Sequence, residues 1–194
     1  AVLVLIFSLQ SLTKADDIRD FQIEGMSIGD SLLNHFNEKF IKDRISKTRS
    51  NYKNDKFKRL FFELKGSKIY NVANVHIKKN SNYEIASVSG AIMQDFTFER
   101  CSQKQIQIFD DLKPLFPSAE IEGDPKKKII FRRDVSKKTV YSTVKYKIKN
   151  GYIDVRCTIF SKEYKTKYPI VGSSLQVFAH SSEFINWLRT EANK

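Results

Sequence analysis

The stretch Val140–Ile159, VYSTVKYKIKNGYIDVRCTI, decides how this chain is read. Along its first half Val140, Ser142, Val144, Tyr146 and Ile148 fall on one side, and Tyr141, Thr143, Lys145, Lys147 and Lys149 on the other. After Asn150-Gly151, Ile153, Val155, Cys157 and Ile159 alternate with Tyr152, Asp154, Arg156 and Thr158. Period-two patterning on both sides of Asn-Gly predicts a β-hairpin closed by a type I′ turn. With Asn150 and Gly151 as the loop, Ile148 should face Ile153, Tyr146 should face Val155, and Val144 should face Cys157. The same register sets Arg156 opposite Lys145 and Asp154 opposite Lys147.

Upstream, a short strand is expected around Ile129–Arg133, after a helical region ended by Pro117 and Gly123-Asp124-Pro125. That helix begins near Ser102 and carries Ile108, Leu112 and Leu115 on the same side as Cys101. Strands are expected at about Phe57–Leu64, Ile69–Lys79 and Tyr83–Met93, with Asn80-Ser81-Asn82 turning the chain between the last two. The basic polar stretch Lys42–Lys56 reads as a long loop. Before it, Ser27 and Asp30 have capping-box spacing, and Ile28, Leu32, Phe36 and Phe40 recur every four residues, so a first helix is predicted from Ser27. Beyond the hairpin, a strand Leu175–Ala179 leads into a helix capped by Ser181 or Ser182, with Phe184, Trp187 and Leu188 on its apolar side.

These elements predict an α+β fold: a meandering antiparallel sheet with two or three helices packed on one face. A helix followed by a meander occurs twice, at 16–98 and 99–194, within a single expected domain of residues 16–194. The order matches and the residues do not, so duplication stays one alternative.

With 194 residues, 41% of them hydrophobic, and with 15 Phe and 8 Tyr, the chain can bury a sizeable core. Its 7 Gly and 4 Pro exclude a collagen-like or linker-dominated architecture. The net charge is +12, but 25 of the 34 basic residues are Lys. Bidentate phosphate recognition favours Arg, and abundant Lys, Ile, Asn, Phe and Tyr are what an A+T-rich genome writes into any soluble protein. Local clustering is the better signal. Lys126, Lys127, Lys128, Arg132, Arg133, Lys137 and Lys138 precede the hairpin, and Lys145, Lys147, Lys149 and Arg156 lie on its polar side. Like charges opposed across a sheet cost stability unless an anion answers them. This flank is therefore a candidate site for phosphate, polysaccharide or lipid headgroups, with Tyr141 and Tyr152 available for stacking. A solvated face is the bland alternative. Lys-dominated charge without a recognition motif argues against nucleic acid.

At the N-terminus, Ala1–Leu9 (AVLVLIFSL) is followed by a polar stretch with Thr13 and Ala15 at the small positions of a cleavage site. This pattern predicts a signal peptide over residues 1–15, truncated at its start, and a mature chain beginning near Asp16. Cleavage there leaves a net charge of +11. An uncleaved anchor is the competing reading. The expected destination is periplasmic or secreted. Two Cys in an exported chain suggest one disulfide. Cys101 faces inward at the start of a helix and Cys157 inward on the sheet, so the two could staple them together. Two separate buried thiols are the alternative.

Gly29-Asp30-Ser31-Leu32 spells GDSL, the tetrapeptide of a large family of esterases and lipases in which the Ser is the nucleophile. That resemblance would make Ser31 attack an acyl carbon, with helix N-terminal amides stabilising the oxyanion. The downstream Gly-x-Asn-Asp block and the Asp-x-x-His near the C-terminus are missing, since His180 has Val177 three residues before it. A capped helix explains the same four residues. His35, His76 and His180 are scattered without metal-ligand spacing, and no phosphate-cradling Gly loop occurs, so no metal and no cofactor are expected.

Three segments together resemble a family of small exported proteins of unknown function from free-living marine bacteria. They are Asp17–Leu33 (DIRDFQIEGMSIGDSLL), the Cys opening an amphipathic helix that ends at Leu115-Phe116, and the Cys157 strand followed by Ser182–Leu188 (SEFINWL). The resemblance implies a signal peptide, an intradomain disulfide and no assigned activity; the loop Ser161–Gly172 departs from it. Ile23-x-Gly25-Met26-Ser27 before a helix is more remotely similar to short outer-membrane-assembly lipoproteins, but the lipidated Cys is absent. The expected function is that of a non-enzymatic binding or structural protein of the bacterial envelope, with an anionic envelope component or another protein as partner. The alternatives are a hydrolase using Ser31 and a binder of anionic polymer or nucleic acid through the basic flank.

Overall fold

The alternation in Val140–Ile159 becomes two adjacent interior strands of a larger sheet. The computed structural model describes residues 15–48, 52–79, 81–168 and 172–194. In chain order the elements are β1 (Gln22–Ile23), β2 (Met26–Ser27), α1 (Glu38–Lys47), β3 (Phe57–Glu63), β4 (Val72–Lys78), β5 (Ile85–Met93) and α2 (Phe98–Leu112). They continue as β6 (Glu120–Ile130), β7 (Val140–Ile148), β8 (Gly151–Ile159), α3 (Lys162–Lys167), β9 (Ser174–Ser181) and α4 (Ser182–Thr190). Strands β1 and β2 form a small hairpin; the others form a seven-stranded antiparallel sheet in the order β3-β4-β5-β9-β8-β7-β6. Two meanders thus meet through the last strand. The fold is α+β, and its main core draws Leu60, Val75 and Val88 from one meander and Val144, Ile153 and Val155 from the other.

Helices α1 and α2 lie on one face of the sheet. Phe36 and Phe40 stack 4.7 Å apart, and both meet Phe62 of β3 edge-on. Helix α4 lies on the opposite face, where Phe184, Ile185 and Trp187 bury themselves against Phe57 and Ala86. The side chain of Ser181 caps it by accepting the amide of Phe184.

Three sequence expectations need correction. The first helix does not start at Ser27. Glu24, Gly25 and Gly29 hold positive φ angles of 51°, 78° and 91°, which turn the chain into the β1–β2 hairpin and interrupt any helix through Gly29. The Asp30 carboxylate does accept the amide of Ser27, at 3.1 Å, but it closes a turn. The helix begins at Glu38 under an Asn37 cap and runs to Lys47, inside the expected loop. Second, Gly123-Asp124-Pro125 is not a breaker. Pairing of β6 with β7 runs to Asp124↔Thr143 and resumes at Ile129↔Tyr141, so Pro125–Lys128 form a wide bulge within a strand that starts at Glu120.

Third, the hairpin register differs. Ile148 pairs with Gly151, Tyr146 with Ile153, Val144 with Val155, and Ser142 with Cys157. The loop is therefore Lys149-Asn150, with Asn150 at φ 63°. A shift of this kind keeps every side chain on its expected face, because the side-chain period of a strand is two. Its cause lies outside the hairpin. Lys149 exchanges backbone hydrogen bonds with Asp16 and Ile18, and the Asn150 amide donates to the Asp17 carboxylate at 2.7 Å. Gly151 belongs to the ladder because a Cβ there would sit 2.1 Å from the His180 carbonyl oxygen and 3.0 Å from the Ile18 side chain.

The expected signal segment lies outside the described residues except for Ala15. Among the described residues, no helix is long and apolar enough to cross a membrane.

Candidate functional site

Cys101, in the first turn of α2, is disulfide-bonded to Cys157 of β8, with a Cα–Cα distance of 5.8 Å. Two further contacts follow at helical spacing. The Gln105 side-chain amide donates to the Val155 carbonyl at 2.7 Å and accepts the Ser142 hydroxyl at 2.6 Å. One turn later, the Tyr146 hydroxyl donates to the Phe109 carbonyl. Burial pushes that phenol well above its ordinary pKa. A covalent bond and two buried hydrogen-bonded groups thus pin α2 across β7 and β8. Gln105 is fully buried, and a hydrophobic-pattern reading passes over it because it looks polar.

On the opposite face of the same strands lies a cleft of about 460 Å³. Arg132 and Arg133, from the turn after β6, line it together with Arg156 of β8, Tyr141, Thr158 and Gln176; Ile129, Ile130, Phe131 and Phe160 complete its walls. Arg156 sits between two rings, 5.8 Å from the centroid of Tyr141 and 5.1 Å from that of Phe178. Its terminal nitrogen donates to the buried Asp154 carboxylate, which also accepts the Thr143 hydroxyl. Its Nε is buried with no acceptor among the described residues. Stacking and the ion pair hold the guanidinium flat and leave part of its donor set unused.

The Arg132–Arg133 turn is tied down by Asp134. Its carboxylate accepts the Thr139 amide at 2.9 Å, the Thr139 hydroxyl at 2.6 Å, and the hydroxyls of Ser136 and Ser161 at 2.8 Å. Desolvation opposes the charge, but these donors more than offset it and hold the carboxyl well below its usual range. Ser161 also caps α3 by accepting the Tyr164 amide. Tyr164 stacks on Phe160, and both meet Phe131 edge-on. The cleft wall and the arginine turn are thereby one unit.

The structure divides the expected basic flank. Arg132, Arg133 and Arg156 come together in the cleft, with Tyr141. Lys126, Lys127 and Lys128 ride on the β6 bulge towards α2, where Ser102 donates to the Pro125 carbonyl and Lys128 lies over the Phe98 ring near Glu99. Lys147 is ion-paired with Glu122 and Glu120, and Lys138 with Glu163. Lys145 stands opposite Asp154, not Arg156, with its ammonium 5.8 Å from the Tyr152 centroid. Lys149 is in the hairpin loop. The like-charge pair expected from the sequence register is thus replaced by an opposite-charge pair. Tyr152 belongs to the cluster under α4.

Ser31 caps a short 3-10 turn. Its hydroxyl donates to the Asn82 carbonyl at 2.6 Å and accepts the Leu33 amide. The structure shows a different Ser–His contact, 2.8 Å between the Ser87 hydroxyl and His180 Nδ1. Ser87 is 2% exposed, and Phe184 covers the His180 ring, so no acyl group can reach the pair. Among the described residues no cluster of His, Cys, Asp or Glu could hold a metal ion. No family model, curated protein or solved structure matches this chain, so no relative assigns a role to any of these residues.

Proposed function

We propose that this chain is an exported, non-enzymatic binding protein that takes up an anionic partner through the cleft between the Arg132–Arg133 turn and the β7–β8 face. The observation that carries the reading is the convergence of Arg132, Arg133 and Arg156 on one cavity, with Arg156 held between aromatic rings. Guanidinium groups present fixed forks of donors suited to carboxylate or phosphate. Export to an oxidising envelope compartment is supported by the Cys101–Cys157 disulfide. The non-enzymatic reading is supported by the capping role of Ser31 and by the burial of Ser87.

The test is retention of the oxidised chain on phosphate-bearing resin at roughly 0.15 M salt, where exposed charges are screened beyond about 8 Å. Retention that is lost in an Arg132→Gln/Arg133→Gln variant supports the cleft. Equal retention of both proteins defeats it.

A further inference from the structure

The cleft is only half cationic, and the other half identifies the ligand class. Ile129, which pairs with Tyr141 at the end of β6, forms the other wall with Phe131 and Phe160. Ile129 and Phe131 stay half-buried beside two exposed arginines. A small inorganic anion would use the guanidinium groups and leave this wall wet. A neutral amphiphile would cover the wall and leave the exposed Arg132 and Arg133 without an anion. Only a ligand with an acidic head and an apolar body answers both halves, since apolar burial and charge-assisted hydrogen bonding are then realised together. The volume of about 460 Å³ matches one small ligand and not a polymer, which needs a continuous groove.

Resting on the anion-binding reading, we propose that the cleft binds a freely diffusing amphiphile with a phosphate or carboxylate head. The head lies against Arg132, Arg133 and Arg156, and the apolar body lies along Ile129, Phe131 and Phe160. The buried Asp154 carboxylate beside Arg156 limits the positive charge on that side, so the exposed Arg132–Arg133 pair supplies most of the attraction.

Calorimetric titration of the full oxidised chain with octyl phosphate, inorganic phosphate and octyl glucoside tests this. Octyl phosphate should bind at least about tenfold tighter than inorganic phosphate, the gain from burying roughly two methylene groups, and octyl glucoside should bind least. Ile129→Ser should weaken octyl phosphate and leave inorganic phosphate unchanged. Arg132→Gln/Arg133→Gln should weaken both. Equal affinity for octyl and inorganic phosphate overturns the amphiphile and leaves the anion reading standing. Failure of both phosphates to bind defeats the two readings together. Equal binding of octyl glucoside removes the head group from recognition. Co-sedimentation with phosphatidic acid vesicles without binding of octyl phosphate overturns the free amphiphile in favour of a membrane surface.

Discussion

His76 of β4 and His180 of β9 are the two cross-strand neighbours of Ser87, and the Phe184 ring lies over both, 4.6 Å from His76 and 5.7 Å from His180. Desolvation, helped by Arg59 beside His76 and Arg156 beside His180, lowers both imidazoles to about 3. The folded protein therefore keeps both rings neutral, while the unfolded chain begins to take up protons as pH falls through about 6.5. Stability is complete above that value and is lost progressively as pH falls from there towards 3. Urea unfolding should show a lower midpoint at pH 5 than at pH 7, by at most about 1.4 kcal/mol per pH unit for each histidine. Neither His76 ring nitrogen has a hydrogen-bond partner among the described residues, so His76→Phe should flatten this dependence.

The Cys101–Cys157 bond closes a loop with a sequence separation of 56, which in the chain-entropy account stabilises by about 4 kcal/mol. Thermal unfolding with and without reductant should show a large drop in Tm, and Cys101→Ser/Cys157→Ser should match the reduced protein. An unchanged Tm would mean that Gln105 and Tyr146 hold α2 without the bond.

Gln105→Ala leaves the Val155 carbonyl and the Ser142 hydroxyl without this partner in the core. Val155 stays in the ladder between β7 and β9, so the cost is that of the Ser142 hydroxyl losing its partner, about 1–3 kcal/mol. Gln105→Leu fills the volume but restores neither bond, and chemical denaturation should place it between alanine and wild type.

Gly151→Ala introduces a Cβ 2.1 Å from a backbone oxygen of the neighbouring strand, which no side-chain rotation relieves. Expression followed by circular dichroism should show a weakened or unfolded sheet. Asn150→Gly keeps the positive φ available and loses only the amide contact to Asp17, so it should unfold within about 1 kcal/mol of wild type.

Asp134→Ala removes the acceptor shared by Thr139, Ser136 and Ser161. The Arg132–Arg133 turn should loosen and anion affinity should fall, with near-wild-type affinity retained in the exposed Val135→Ala control. Titration of both variants with octyl phosphate measures the difference.

Fold class, the strand positions around Phe57, Val72, Ile85 and Val140, the last helix with a Ser181 or Ser182 cap and the Cys pair are legible because each depends on local chemistry. Alternation assigns faces, a hydroxyl before an apolar period caps a helix, and two inward Cys can meet. The start of the first helix is less legible, since the four-residue period from Ile28 to Phe40 survives as burial of Ile28 and Leu32 while positive φ angles at Gly25 and Gly29 bend the chain elsewhere.

The cleft was legible only in its charges. Arg132, Arg133 and Arg156 stand in the sequence beside eight lysines of equal apparent promise, and which of them converge depends on register and on the β6 bulge. Sequence by itself determined the inward and outward faces of every hairpin residue, because side-chain period is a local property of an extended chain. Tertiary structure alone decided which residue opposes which: Lys149 is held by Asp16 and Ile18, and Gly151 is pressed against His180. Those contacts cross more than a hundred residues at one end and link separate strands at the other, so no local pattern carries them.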